Sequence, residues 1–154
     1  MHEYQASVVL PRIREEAFEH LRRTANLLKM FPAGTASNLS IKVPEIMNVG
    51  EVVDFKVKAL GGHYQFVHEI KEVVAPEKIV LVQIEGPFKA WTQELHFQDS
   101  ENQNTLMTSI VRFAPPGGML GFVVTPKLVI SQLKEWVGRG HELIRQDLMN
   151  QSMG

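Results

Sequence analysis

Residues 125–145 read TPKLVISQLKEWVGRGHELIR, and the reading of this stretch decides the fold. Thr125 suits a helix N-cap, and Pro126 suits the first helical position. Val129, Leu133, Trp136, Val137, Gly140 and Ile144 recur at steps of three or four residues and form one apolar stripe. Lys134, Glu135, Arg139, Glu142 and Arg145 cover the rest. The stretch predicts a long C-terminal helix with one face to bury. Gly138 and Gly140 are unusual in a helix interior, where each costs about 1 kcal/mol relative to Ala. Gly140 falls on the stripe, so it leaves room for a ligand, for a close strand, or for plain close packing.

What precedes this helix alternates with the period of strands. Thr105 to Phe113 is the last strand, stopped by Pro115-Pro116-Gly117-Gly118. Trp91, Leu95 and Phe97 oppose Thr92, Glu94, His96 and Gln98 in the strand before it, and residues 99–104 form a polar turn. Ile79 to Ile84 is apolar on both parities, which marks a central strand or a face covered from outside. Tyr64, Phe66, His68 and Ile70 share one face of a strand that follows a tight hairpin signal at Gly61-Gly62. Val53, Phe55, Val57 and Ala59 share a face of the strand before the hairpin. Asn38 to Val43 alternates through Leu39 and Ile41, and Glu3 to Leu10 through Tyr4, Ala6 and Val8. Between those two, residues 12–29 predict one or two short helices, with Ile13, Ala17, Phe18, Leu21, Ala25 and Leu28 on one face.

Short hairpin loops force antiparallel pairing. A sheet of this kind needs its apolar face covered, and the C-terminal helix is the long apolar helix left to do it. The expected fold class is α+β. A seven-stranded, curved antiparallel sheet wraps around the last helix, with two short helices between strands 1 and 2. No linker or internal repeat divides residues 1–154, so they read as one domain.

The composition excludes several classes of function. Sixteen Lys and Arg against 17 Asp and Glu leave a formal charge of -1, with no basic stripe for nucleic acid. There is no cysteine, hence no disulfide or thiolate chemistry. Met1-His2-Glu3-Tyr4 lacks a basic segment before an apolar core, so no signal peptide is expected. No apolar run reaches the length of a membrane span. A cytoplasmic protein is the expectation. No phosphate loop or nucleophile elbow is present. His63 and His68 fall on opposite faces and His96 points outward, so neither a metal set nor a cofactor is expected. His20 and Glu16, one helical turn apart, read as a solvated pair. The arginines of the first helix, Arg12, Arg14, Arg22 and Arg23, are offset by Glu15, Glu16 and Glu19 and read as a solvated face.

Parity and turn positions also place a wall of residues. The turn at Ala75-Pro76 sets His68 across from Gln83. The corner at Gly86-Pro87 sets Gln83 near Trp91, and Leu81 near Gln93. The turn at Asn102 sets Leu95 near Ser109, with Met107, Val111 and Phe113 on the same face. His68, Gln83 and Gln93 then lie together on an otherwise apolar wall. Polar groups there cost about 1–3 kcal/mol each unless partnered. They either satisfy one another or a buried water, or they orient a ligand's carbonyl or hydroxyl in a pocket of roughly 300–1,000 Å³. The candidate ligand-binding set is Phe55, Phe66, His68, Leu81, Gln83, Trp91, Gln93, Leu95, Met107, Ser109, Leu133, Trp136, Val137 and Gly140. Met119, Leu120 and Phe122 read as a lid over the pocket mouth or as a short core helix.

The stretch Gly86-Pro87-Phe88-Lys89-Ala90-Trp91 resembles the START-like superfamily, also called SRPBCC, whose bacterial members carry Gly-Pro-Phe and a Trp in these places. Pro76, Thr105, Pro116-Gly117 and Arg139 fit the same pattern, and the resemblance spans nearly the whole chain. It implies a helix-grip fold and the binding of small hydrophobic molecules, as in lipid-transfer domains and aromatic polyketide cyclases. Members of the bacterial group carry an acid on the fifth strand, two histidines on the sixth and an acid on the seventh. Here Leu81, Gln93, Leu95 and Ser109 stand there, while Gln83 keeps its usual identity. The leading expectation is binding or carriage of a small hydrophobic ligand, lipid-like, aromatic or polyketide-like. The rival is a cyclase, dehydratase or isomerase with His68 as acid/base, since an unperturbed histidine titrates near neutrality. Ile79 to Ile84 is also a candidate homodimer face.

Overall fold

A computed structural model describes residues 1–32, 35–37, 43–59 and 61–151. Its elements run β1 (His2–Leu10), α1 (Arg14–Arg22), α2 (Thr24–Leu27), a 3-10 turn (Leu28–Met30), β2 (Ala36–Ser37), β3 (Val52–Ala59), β4 (Gly62–Val74), β5 (Lys78–Glu85), β6 (Ala90–Asp99), β7 (Thr105–Ala114), α3 (Leu120–Val123) and α4 (Pro126–Gln151). The strands form one antiparallel sheet in the order β1-β7-β6-β5-β4-β3-β2. Six strands are long, and β2 has two residues, paired with Phe55 and Lys56 of β3. The strand expected over residues 38–43 lies, except for Val43, outside the described residues.

The order puts β5 in the middle of the sheet, as the first of the two readings of its apolar parities expects. Ile79 and Leu81 face the core. On the other face Val80 is buried, Val82 is half-buried and Ile84 is exposed. The β3–β4 hairpin closes with Ala59 opposite Gly62, and Gly61 takes the positive φ of 76° that glycine tolerates. Gly62 is already in the strand.

The registers follow the turns. His68 pairs with Gln83, Leu81 with Gln93, and Leu95 with Ser109. A register irregularity lies between Val67 and His68, and Phe66, Val67 and His68 are all buried. Such bulges bend a strand and re-aim its side chains.

α4 lies against the inner face of the sheet, packing on β1 and the 3-10 turn. Its N-terminus is capped as expected, with the Leu128 amide donating to Thr125 Oγ1 at 3.3 Å. The stripe Val129, Leu133, Trp136, Val137, Gly140 and Ile144 is buried, and His141 and Leu148 extend it. Among the described residues, no helix is long and apolar enough to cross a membrane.

Candidate functional site

The inner face of the sheet carries an aromatic nest centred on His68. The His68 ring stacks on Phe66 at 5.7 Å between centroids. It meets Phe55 edge-on at 5.1 Å, Phe31 at 6.2 Å and Trp91 at 6.5 Å. Phe31 reaches the nest from the loop after the 3-10 turn, where Arg139 of α4 donates to its carbonyl at 2.6 Å. Phe88 comes from the β5–β6 corner and lies 4.7 Å from Trp91.

Polar atoms are embedded in this nest without partners. His68 has no exposed surface, and neither ring nitrogen has a hydrogen-bond partner among the described residues. The same holds for Trp91 Nε1, Gln93 Oε1 and Gln83 Oε1. These residues sit at neighbouring positions of β4, β5 and β6, so one wall holds all of them. Burial pushes the His68 pKa down to about 3, because an imidazolium there would lose its hydration. At neutral pH it is uncharged and a poor proton donor.

The corner that carries Phe88 is fixed by Gln83. Its Nε2 donates to the Phe88 carbonyl at 2.7 Å. A Cβ on residue 86 would overlap the Gln83 carboxamide. Gly86 is therefore the residue that lets Gln83 reach Phe88. Of the alternatives for the wall, mutual satisfaction of Gln83 and His68 is therefore not what forms: the Gln83 amide N–H is used by the corner.

The enclosed space lies beside the nest, toward the N-terminal end of α4. It is bounded by Val57, Ala59, Tyr64, Phe66, Pro87, Phe88, Pro116, Leu120, Val124 and Trp136, whose side chains are apolar apart from the Tyr64 hydroxyl and the Trp136 indole N–H. Its volume is about 10 Å³ for a water-sized sphere, close to the least that admits one water. The deep hollow expected under the last helix is instead filled by Phe31, Phe55, Phe66, Phe88 and Trp91.

No protein-family model and no curated protein matches the sequence. Solved structures do match. A START superfamily protein from Mycobacterium smegmatis aligns with a TM-score of 0.70 at 11% identity, covering 97% of this chain and 99% of that one. The protein XoxI from Bacillus cereus gives 0.70 at 11% identity over 99% of both chains. Major latex-like protein 151 from Panax ginseng gives 0.60 at 15% identity, over 94% of this chain and 97% of that one. The chain has the START-like helix-grip fold.

Within the grip, twelve of the fourteen predicted residues divide into three groups. His68, Gln83, Trp91 and Gln93 share the polar wall. Phe66 and Trp136 line the small cavity. Phe55, Leu81, Leu95, Met107, Leu133 and Val137 are plain core. Ser109 stands apart from the wall, and its Oγ lies 2.7 Å from His141 Nε2. Gly140 serves close packing: a Cβ there would lie 2.6 Å from the Met30 Cα. Of the expected lid, Leu120 faces the cavity, whereas Met119 and Phe122 are 86% and 85% exposed.

Three site features escaped the sequence reading. His141 follows Val137 by four residues and precedes Ile144 by three, so its position on the stripe was visible although its type concealed it. Phe31 and Phe88 come from loops, where periodicity carries no signal. Phe88 is nevertheless the last residue of the Gly-Pro-Phe motif.

Proposed function

We propose that this protein binds a small, mostly apolar molecule, which enters at the cavity beneath Leu120 and Val124 and displaces the Phe88 ring. One observation carries the reading. Four neighbouring residues on the inner wall hold buried polar atoms without partners among the described residues, behind an apolar mouth. Buried polar groups in native proteins are almost always hydrogen-bonded, and each orphan costs about 1–3 kcal/mol. A guest, or water carried in with it, would satisfy them. An apolar enclosure with a few converging polar groups is the usual make-up of small-molecule sites. The same fold occurs in a protein described as a START superfamily member and in a major latex-like protein, which agrees with this reading.

The test uses the uncharged fluorescent probe N-phenyl-1-naphthylamine. Saturable enhancement is expected with the wild-type protein. Ala59→Trp and, as a milder change, Val57→Phe fill the mouth and should weaken binding at least about tenfold. Absence of saturable binding, or equal binding by folded variants, refutes the proposal.

A further inference from the structure

We propose that the guest of this wall is an uncharged hydroxyl compound, an alcohol or phenol on an apolar body, and that the site rejects carboxylates. The inference rests on the binding site proposed above and specifies its ligand class.

The argument is an inventory of donors and acceptors. Trp91 Nε1 can only donate. Gln83 Oε1 can only accept, and its identity is fixed because Nε2 is committed to the Phe88 carbonyl. Gln93 offers a second unpartnered carbonyl oxygen 2 positions along β6 from Trp91. A hydroxyl donates one hydrogen and accepts through two lone pairs, so one group can serve Gln83 or Gln93 and Trp91 together. The neutral His68 ring adds one donor and one acceptor to the wall. A carboxylate could accept from the Trp91 and His68 N–H groups, but it has no hydrogen for the two glutamine oxygens and would face both.

Among the described residues no cation offsets that repulsion. His68 is neutral, its basicity depressed by burial. Arg139 is engaged with the Phe31 carbonyl and lines an open groove with Lys29, Pro32 and Leu143, not the cavity. The Ser109–His141 pair satisfies itself. Burying an unpaired carboxylate without a counter-ion is strongly unfavourable.

Phe88 connects the cavity to these atoms. Its ring lines the cavity and packs on Trp91, and its backbone is tied to Gln83. A guest that swings this ring aside would reach the two residues that carry the unpartnered Trp91 N–H and Gln83 oxygen.

The experiment is displacement of N-phenyl-1-naphthylamine by three compounds of one shape: 2-naphthol, 2-methylnaphthalene and 2-naphthoate. We expect 2-naphthol to displace the probe at about tenfold lower concentration than 2-methylnaphthalene. It should outcompete 2-naphthoate by on the order of a hundredfold. Trp91→Phe and, separately, Gln93→Met should compress the ratio between 2-naphthol and 2-methylnaphthalene. A wild-type protein that ranks 2-naphthoate or 2-methylnaphthalene level with 2-naphthol overturns the ligand class while leaving the site intact. A probe that never binds removes the site and the ligand class together.

Discussion

The Ser109 hydroxyl lies 2.7 Å from Nε2 of His141, tying the last strand to the last helix inside the core. Burial lowers the His141 pKa from 6.5 to about 4. Between those values the unfolded chain binds a proton that the folded one refuses, so acid favours unfolding. Stability is therefore fully present above about pH 6.5 and falls as the pH drops toward 4. The loss attributable to His141 is about 2 kcal/mol by pH 4.5. Urea midpoints measured from pH 7.5 to 4.5 should fall, and His141→Leu should flatten the curve. An unchanged slope in that variant contradicts the assignment.

His68 has the same sign and a wider window, opening at the same pH of about 6.5 and extending down to about pH 3. Its ring makes aromatic contacts but no hydrogen bond among the described residues. His68→Leu should therefore leave stability at pH 7 unchanged or raise it by about 1 kcal/mol, because two unpartnered nitrogens disappear. Thermal and urea denaturation measure this. A loss above about 2 kcal/mol would show that the nitrogens have partners after all.

The two glycines of α4 should respond in opposite directions. Gly138 is exposed, and a Cβ there meets nothing within 4 Å. Gly138→Ala should stabilise by about 0.5–1 kcal/mol through helix propensity. At Gly140 the new methyl would press on the Met30 backbone, which has no torsion to yield. Gly140→Ala should cost about 2–4 kcal/mol. Equal effects at the two sites would contradict the packing described above.

Gly86 and Gln83 should behave as one unit. Gly86→Ala expels the Gln83 carboxamide, and Gln83→Leu removes it, so each loses the bond to the Phe88 carbonyl. Each single change should cost about 1 kcal/mol, and the pair should cost much less than the sum. A double-mutant cycle by urea denaturation reads the coupling, and simple additivity would refute it.

The sequence was most legible where covalent geometry does the counting. Turns at Ala75-Pro76, Gly86-Pro87 and Asn102 set strand offsets, and the pairs His68 with Gln83, Leu81 with Gln93, and Leu95 with Ser109 all formed. The stripe on α4 was legible because a helix repeats itself. The filling of the hollow was not. Phe31 and Phe88 arrive from loops, and their directions depend on single contacts, a guanidinium for one and a carboxamide for the other. Gly140 showed that something comes close, but Met30 lies 110 residues away in sequence, and periodicity does not cross that distance.

The touching of Met30 and Gly140 joins two backbones with no side chain between them. At that latitude the helix and the 3-10 turn sit backbone against backbone, and position 140 admits no larger side chain. The small apolar cavity lies further toward the start of the same helix, bounded by Trp136 and Val124. The fold is tightest at one level of α4 and keeps its slack at another.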